Sequence, residues 1–410
     1  MARGARLLTR DFVLLSQGQL VSSVGDAVQR VALPFWALAA TGSTAWVGTV
    51  VAASMLPKIL LGPVAGALAD RASRRAILVW SDLGAGVTMT LVALAAAQGK
   101  LGLWMLLAAS VLVGVAGACF DPAIAAALPD LVPPRAVGRA NATLSAGYTG
   151  ASILGSAIGG MAYQAVGATL LFLGNGLSFF YSAASEMFVR FPARRRAGAR
   201  PRPLDELRAG LSLVWHNAGV RGLLVATGLA HVGNSALLVL LVPHCERHAA
   251  LGARGFGWFL AGLSGGAFAG FALTSLGGLP GRARVALFIG SSALQAAALG
   301  ALGWLDSLGP VLAMGALAGV AMAVESTLVT TALQLGVGAE VRGKLFGVRA
   351  SWTTAVGMLA SLGAGFGAAL EPLGLLISAA AAANLLAAAA LALSPAARRM
   401  LGAVAPSETP

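Results

Sequence analysis

The sequence predicts an all-α membrane protein of about twelve transmembrane helices, arranged as two groups of six. Three observations carry this reading. Of 410 residues, 58% are hydrophobic and only 10% charged, and the mean hydropathy is +0.82. A chain that faces water on all sides uses about 25% charged residues, so this one needs a bilayer as part of its solvent. The apolar residues also come in runs near 20 residues, the length that crosses a hydrocarbon core of about 30 Å as a helix. Finally, Lys and Arg concentrate in every second loop.

The runs fall near 12–40, 44–69, 76–98, 101–127, 141–166 and 168–189, then 220–243, 256–278, 285–305, 308–335, 346–370 and 372–393. The third pair of each half is separated by almost nothing. With the N-terminus inside, twenty-three of the 28 Lys and Arg residues fall in cytoplasmic segments, including Arg349, and three (Lys100, Arg247, Arg254) fall outside. Arg30 and Lys58 lie within spans. This bias puts both termini in the cytoplasm. The proline- and arginine-rich segment 192–203 reads as a solvated linker, and Asp205–Val214 as an amphipathic helix behind it. The expected organisation is a six-helix bundle over 1–191, a cytoplasmic linker with its helix over 192–218, and a second bundle with a short cytoplasmic tail over 219–410.

The 54 glycines fit membrane helices, where small residues let backbones approach closely; Gly262, Gly266 and Gly270 form the clearest series. The net charge of +13 does not imply nucleic acid, because the basic residues sit in short loops between apolar runs. Two cysteines, Cys119 and Cys245, define neither a disulfide framework nor a metal site. Arg3, Arg6 and Arg10 precede an apolar stretch soon broken by Gln17 and Gln19, so no cleavable signal is expected. No phosphate-binding loop, HExxH or CxxC occurs. Gly262–Gly266 fits G-x-S-x-G only formally, since it lies inside an apolar helix. The Asn141 acceptor pattern for glycosylation falls on the cytoplasmic side.

The two halves echo one another. GALADRASRR (Gly66–Arg75) joins spans two and three, and GGLPGRAR (Gly277–Arg284) joins spans eight and nine, aligning Arg71 with Arg282. Val137–Asn141 and Arg342–Phe346 correspond in the same way. Parallel six-helix repeats are one plan on which secondary transporters are built.

GALADRASRR resembles the signature loop of the major facilitator superfamily, through Gly66, Leu68, Asp70, Arg71, Arg74 and Arg75. The opening RDFVLLSQGQLVSSVGDAVQRVALPFW, the loop ALPDLVPPRAVGRANATLSAGY and the passage LDELRAGLSLVWHNAGVRGLL look like the drug:proton antiporter branch, which includes macrolide-efflux proteins and the enterobactin exporter. The resemblance implies two six-helix bundles around a central cavity, lined by spans one, four, seven and ten. It also implies a conformational latch on the cytoplasmic side, for which Gly66, Asp70, Arg71, Arg74, Arg75 and Asp121 are the candidates, with Asp82 as a further acid near those arginines. The span-five pattern of that branch departs here, with Ser156 where it has proline, and Gly281 stands where the first loop has Asp70.

Ionisable groups inside a span are costly and therefore functional candidates. Asp26 and Arg30, one turn apart on the face that carries Ser22, read either as an ion pair that eases insertion or as cavity-lining groups for substrate or a proton. Glu325 lies mid-span with no cation within a turn, which makes it a candidate proton carrier, with Asp26 its competitor. His231 and Asn234, one turn apart, complete the candidate substrate cavity of Ser22, Asp26, Arg30, His231, Asn234 and Glu325. Lys58 follows Pro57 and calls for an acid elsewhere.

The resulting expectation is no enzyme but a secondary active exporter of a small amphipathic or hydrophobic compound, driven by proton entry, in a bacterial inner membrane. Its partners would be the small-molecule substrate, protons and membrane lipids, without cofactor, metal or nucleic acid, and the chain would act as a monomer. Siderophore export and nutrient uptake are the alternatives within transport. A receptor or secretion accessory on the same fold is the alternative outside it.

Overall fold

The computed structural model describes residues 9–71, 73–133, 136–191, 203–247, 251–275, 280–369 and 372–403. Among these, helix is the only extended regular structure. The helices are α1 (Arg10–Thr41), α2 (Thr44–Arg71), α3 (Arg74–Ala97), α4 (Leu103–Leu131), α5 (Val137–Met187), α6 (Pro203–His216) and α7 (Ala218–Arg247). They continue with α8 (Gly252–Ser275), α9 (Gly281–Ala301), a 3-10 turn at Leu302–Trp304, α10 (Leu308–Gly336), α11 (Ala339–Gly367), α12 (Leu373–Leu393) and α13 (Pro395–Gly402).

Nine of the described helices are long and apolar enough to cross a membrane. One of these is α5, whose 51 residues would reach roughly 75 Å, more than twice a hydrocarbon core. It breaks at Gly167, at φ 73° and ψ 177°, a left-handed conformation that glycine alone adopts without strain. The break falls between the expected fifth and sixth runs. Helices α1 and α11 have the length but fall outside the nine. In α1 the apolar residues are diluted by Gln17, Gln19, Ser22, Ser23, Asp26 and Arg30, and in α11 by Ser351, Thr353, Thr354 and Ser361. The amphipathic helix expected over Asp205–Val214 is α6, a little longer. The expected tail contains α13, capped by Ser394, whose hydroxyl accepts from the Ala397 amide with Pro395 at the first turn.

The chain divides into two compact units. The first comprises Met1–Gly42, Thr49–Arg200 and Gly252–Ala261, and the second Ser43–Gly48, Pro201–Leu251 and Gly262–Pro410. They are therefore not two contiguous stretches. The start of α8 belongs with the first unit, where Gly257 closes against the Ser156 carbonyl and Gly160.

Within the first unit, α1 runs along α5. A methyl on Gly155 would meet the Val24 carbonyl at 2.6 Å, and one on Gly159 would meet Val28 at 2.9 Å, so the two backbones touch where these glycines lie. The end of α1 is pinned twice: Thr9 donates its hydroxyl to the Leu131 carbonyl at 2.9 Å, and Asp11 accepts from the Arg190 amide at 3.1 Å. Apolar clusters around Leu15, Leu78 and Leu131 and around Phe12, Leu128 and Leu144 fill the rest.

The second unit has an apolar cluster built on Leu223, Phe288, Val329, Leu333, Leu345 and Leu391. Here the expected glycine series does pack. Methyls on Gly262 and Gly270 would meet the Leu312 and Val320 carbonyls of α10 at 2.6 and 2.7 Å. One on Gly266 would overlap the Ala316 carbonyl, and Gly319 of α10 closes in the same way on the Leu263 carbonyl.

Candidate functional site

The intramembrane polar groups form separate clusters within each unit. In the second unit, Glu325 of α10 is buried, and Ser292 of α9 donates a hydrogen bond to its carboxylate. One turn on from Ser292, Gln295 donates to Asn234 of α7 at 3.1 Å, while its own amide oxygen is buried without a partner. Helix α9 therefore supplies both partners, three residues apart on one face. None of the described Lys, Arg or His residues forms an ion pair with Glu325. His231, one turn before Asn234, is half-buried and makes no hydrogen bond among the described residues; the charge it senses is Arg349.

Arg349, expected on the cytoplasmic side, is part of a helix and packs against its neighbours. It lies ten residues into α11, about 15 Å along the helix, half-buried, donating to Thr330 of α10 at 2.9 Å and resting over the Phe346 ring.

In the first unit, Asp26 and Arg30 do not form the ion pair that their spacing suggests. Both instead reach α5 at different heights: Asn175 donates to Asp26 at 3.4 Å, and Arg30 donates to Ser152 at 3.0 Å. Asn175 also donates to Gln29, and Ser178 donates to Asn175 at 3.1 Å. Ser22 is buried and returns its hydroxyl to the Gln19 carbonyl, so it has no free hydrogen to offer a ligand.

The latch candidates separate. The backbone of Gly66, Asp70 and Arg71 forms the last turns of α2, and their side chains lie outside the described residues. Arg74, at the first turn of α3, pairs with Asp130 at the last turn of α4, and Arg75 is exposed. Asp121, expected beside these arginines, pairs instead with Lys58, at 2.8 Å. The reason is length: Asp121 lies ten residues before the end of α4, about 15 Å from it. Lys58 thereby receives the acid that it calls for.

Asp82 is also not beside the arginines. It is buried at 5% exposure, and Glu186 of α5 is buried completely. Gln19 of α1 donates to Glu186 at 3.1 Å and to Ser182 at 3.2 Å, and Ser182 acts on the Asp82 carboxylate. Reasoning from sequence missed this group, because Gln19 reads as an interruption of an apolar run and Glu186 as part of the span's polar end. The signal was present: Ser178, Ser182, Ser185 and Glu186 put polar residues on one face of the sixth span.

Long apolar helices with ionisable groups held by neighbouring helices define a polytopic membrane protein. The chain belongs to the Major Facilitator Superfamily, whose model matches residues 15–362. Macrolide efflux protein A of Streptococcus pyogenes is 26% identical over 226 residues, covering 52% of this chain and 53% of that relative, so the match spans about half of its length. The multidrug efflux pump Tap of Mycobacterium tuberculosis is 26% identical over 359 residues, 84% of each chain. Among solved structures, a bacterial homologue of the human lysosomal transporter Spinster, in an inward-facing and unoccupied conformation, shares the fold with a TM-score of 0.70 at 16% identity, covering 96% of each chain. The chain is thus a multi-pass membrane protein of this superfamily.

Proposed function

We propose that the protein exports a small amphipathic or hydrophobic compound, a drug or natural product, by proton antiport with alternating access. The observation that carries this reading is Glu325, a buried carboxylate with a serine as partner and, among the described residues, no paired cation. Such a group is costly in a span unless a proton neutralises it, and a group that gains and loses a proton is what coupling requires. The names of the two relatives, a macrolide efflux protein and a multidrug efflux pump, support export of this class of compound. Asp26 is the weaker carrier, since Asn175 already occupies it and Arg30 lies one turn away. His231, Asn234 and Arg30 are the groups assigned to the substrate. Arg74 and Arg75, with Asp70 and Arg71, are assigned to a cytoplasmic latch. Both termini and the 192–203 linker are assigned to the cytoplasm, in the inner membrane.

Proton flux in vesicles that contain the purified protein tests the reading. Glu325→Gln abolishes substrate-driven proton movement and uphill export but leaves downhill exchange of substrate. If Glu325→Gln still moves protons and Asp26→Asn does not, the two roles are reversed.

A further inference from the structure

Asp82 of α3 and Glu186 of α5 are two carboxyl groups buried in one unit: Gln19 donates to both Ser182 and Glu186, Ser182 acts on Asp82, and the two acids sense one another's charge. Each has one oxygen, Asp82 Oδ2 and Glu186 Oε2, that is buried and has no hydrogen-bond partner. The charged groups around them offer no compensation. Asp26 of α1 acts on Asp82, and Tyr148 of α5 senses both acids. The nearby cations are engaged elsewhere: Arg30 with Ser152, Lys58 with Asp121 and Arg74 with Asp130. Arg10, Arg75 and Arg139 form no ion pair with either acid.

We propose that Asp82 and Glu186 hold one proton between them and form a protonation site in the first unit, distinct from Glu325. Two uncompensated anions in one buried network repel each other and leave two acceptors bare. A single proton removes one charge, ends the like-charge repulsion and supplies the donor that the network lacks. The flanking group favours a proton over a metal ion, because Gln19 directs its amide hydrogens at Glu186. Such hydrogens repel a cation, whereas a proton shared by the acids leaves them undisturbed. Gly18 holds α1 against this part of α5, 3.2 Å from Ser182 and Ser185 measured from an added methyl, which brings Gln19 within reach of both partners. The proposal is independent of the role given to Glu325, since it concerns where a proton resides and not which one drives export.

Infrared difference spectra of the full-length protein in lipid vesicles, recorded as pH is raised, read the carbonyl stretch of protonated carboxylic acids directly. An acid band that persists in Glu325→Gln and disappears in the Asp82→Asn, Glu186→Gln double variant is the expected result. Asp82→Glu and Glu186→Asp keep the acids, so each shifts the band without removing it, and they decide the matter should the double variant not fold. The proposal is overturned if the acid bands survive in the double variant or go unshifted in the two conservative ones. It is equally overturned if sodium at fixed pH removes the band from the unaltered protein, which would make the site one for a metal cation. A transport assay that finds no proton antiport removes the role of Glu325 and leaves this band in place.

Discussion

The two units hold their helices together in different ways. In the first, one helix takes part in both tasks: α1 meets α5 backbone to backbone at Gly155 and Gly159, before the break at Gly167, and carries polar links from Gln19 and Asp26 to Glu186 and Asn175 beyond it and from Arg30 to Ser152. In the second, the tasks are divided. Helices α8 and α10 close on each other through Gly262, Gly266, Gly270 and Gly319, while α9 supplies the hydrogen bonds to Glu325 and Asn234. A change in the packing of α1 therefore reaches the polar groups that the same helix carries. In the second unit, packing and polar chemistry can be altered separately.

The largest effect expected from this contrast is at Gly266. A side chain there runs into the Ala316 carbonyl of α10, which is backbone and cannot rotate away. Overpacking in a close-packed core costs about 1–3 kcal/mol even where neighbours adjust, and here the whole helix pair must separate. Gly266→Val is expected to eliminate monodisperse protein in detergent size-exclusion chromatography. Recovery of normally folded Gly266→Val protein would show that the α8–α10 contact is not needed to hold the second unit.

An intermediate effect is expected at Gly25, the corresponding test of the first unit. A methyl there overlaps the Asn175 amide and the Ser178 hydroxyl, both side-chain atoms that can turn aside. The helices stay packed, but Asn175 leaves Asp26 and Gln29. Gly25→Ala is expected to cost about 1–3 kcal/mol in thermal stability and to slow substrate export, in protein that still elutes as a single species. Loss of stability with unchanged export would separate packing from polar function at this crossing and break the contrast.

Much of this could be read from the sequence, and the gaps have physical reasons. Hydropathy alone placed most of the helices within a few residues, because burial in lipid imposes length and apolarity directly. The glycine series at Gly262 to Gly270 was legible because its spacing keeps one face. Glu325 was legible because a lone acid in an apolar run has no neutral explanation. The partners of these groups were not legible: Ser292, Gln295 and Asn175 are unremarkable in their own runs and acquire meaning only when another helix lies against them. Asp26 and Arg30 misled for the same reason, since spacing along one helix suggested a pair, and the neighbouring α5 offered each a different partner. Asp121 and Asp82 were placed by their nearness to basic residues in sequence, whereas depth along α4 and α3 decides what they meet.

The smallest effect is expected at Gln295, and it tests whether the second unit keeps its polar groups separable. Gln295 donates one hydrogen bond, to Asn234, and its amide oxygen is already buried without a partner. Gln295→Leu therefore removes one satisfied group and one unsatisfied one, and strands only the Asn234 oxygen. Net hydrogen bonds of this kind contribute about 1 kcal/mol, and removing both partners can be close to neutral. Gln295→Leu is expected to lower stability by about that amount, and the Gln295→Leu, Asn234→Leu pair by less than the sum of the two single changes. Proton movement is expected to continue in Gln295→Leu, because Glu325 is held by Ser292 and not by Gln295. If Gln295→Leu stops proton movement as fully as Glu325→Gln does, the α9 face acts as one connected network, and the second unit is no more divisible than the first.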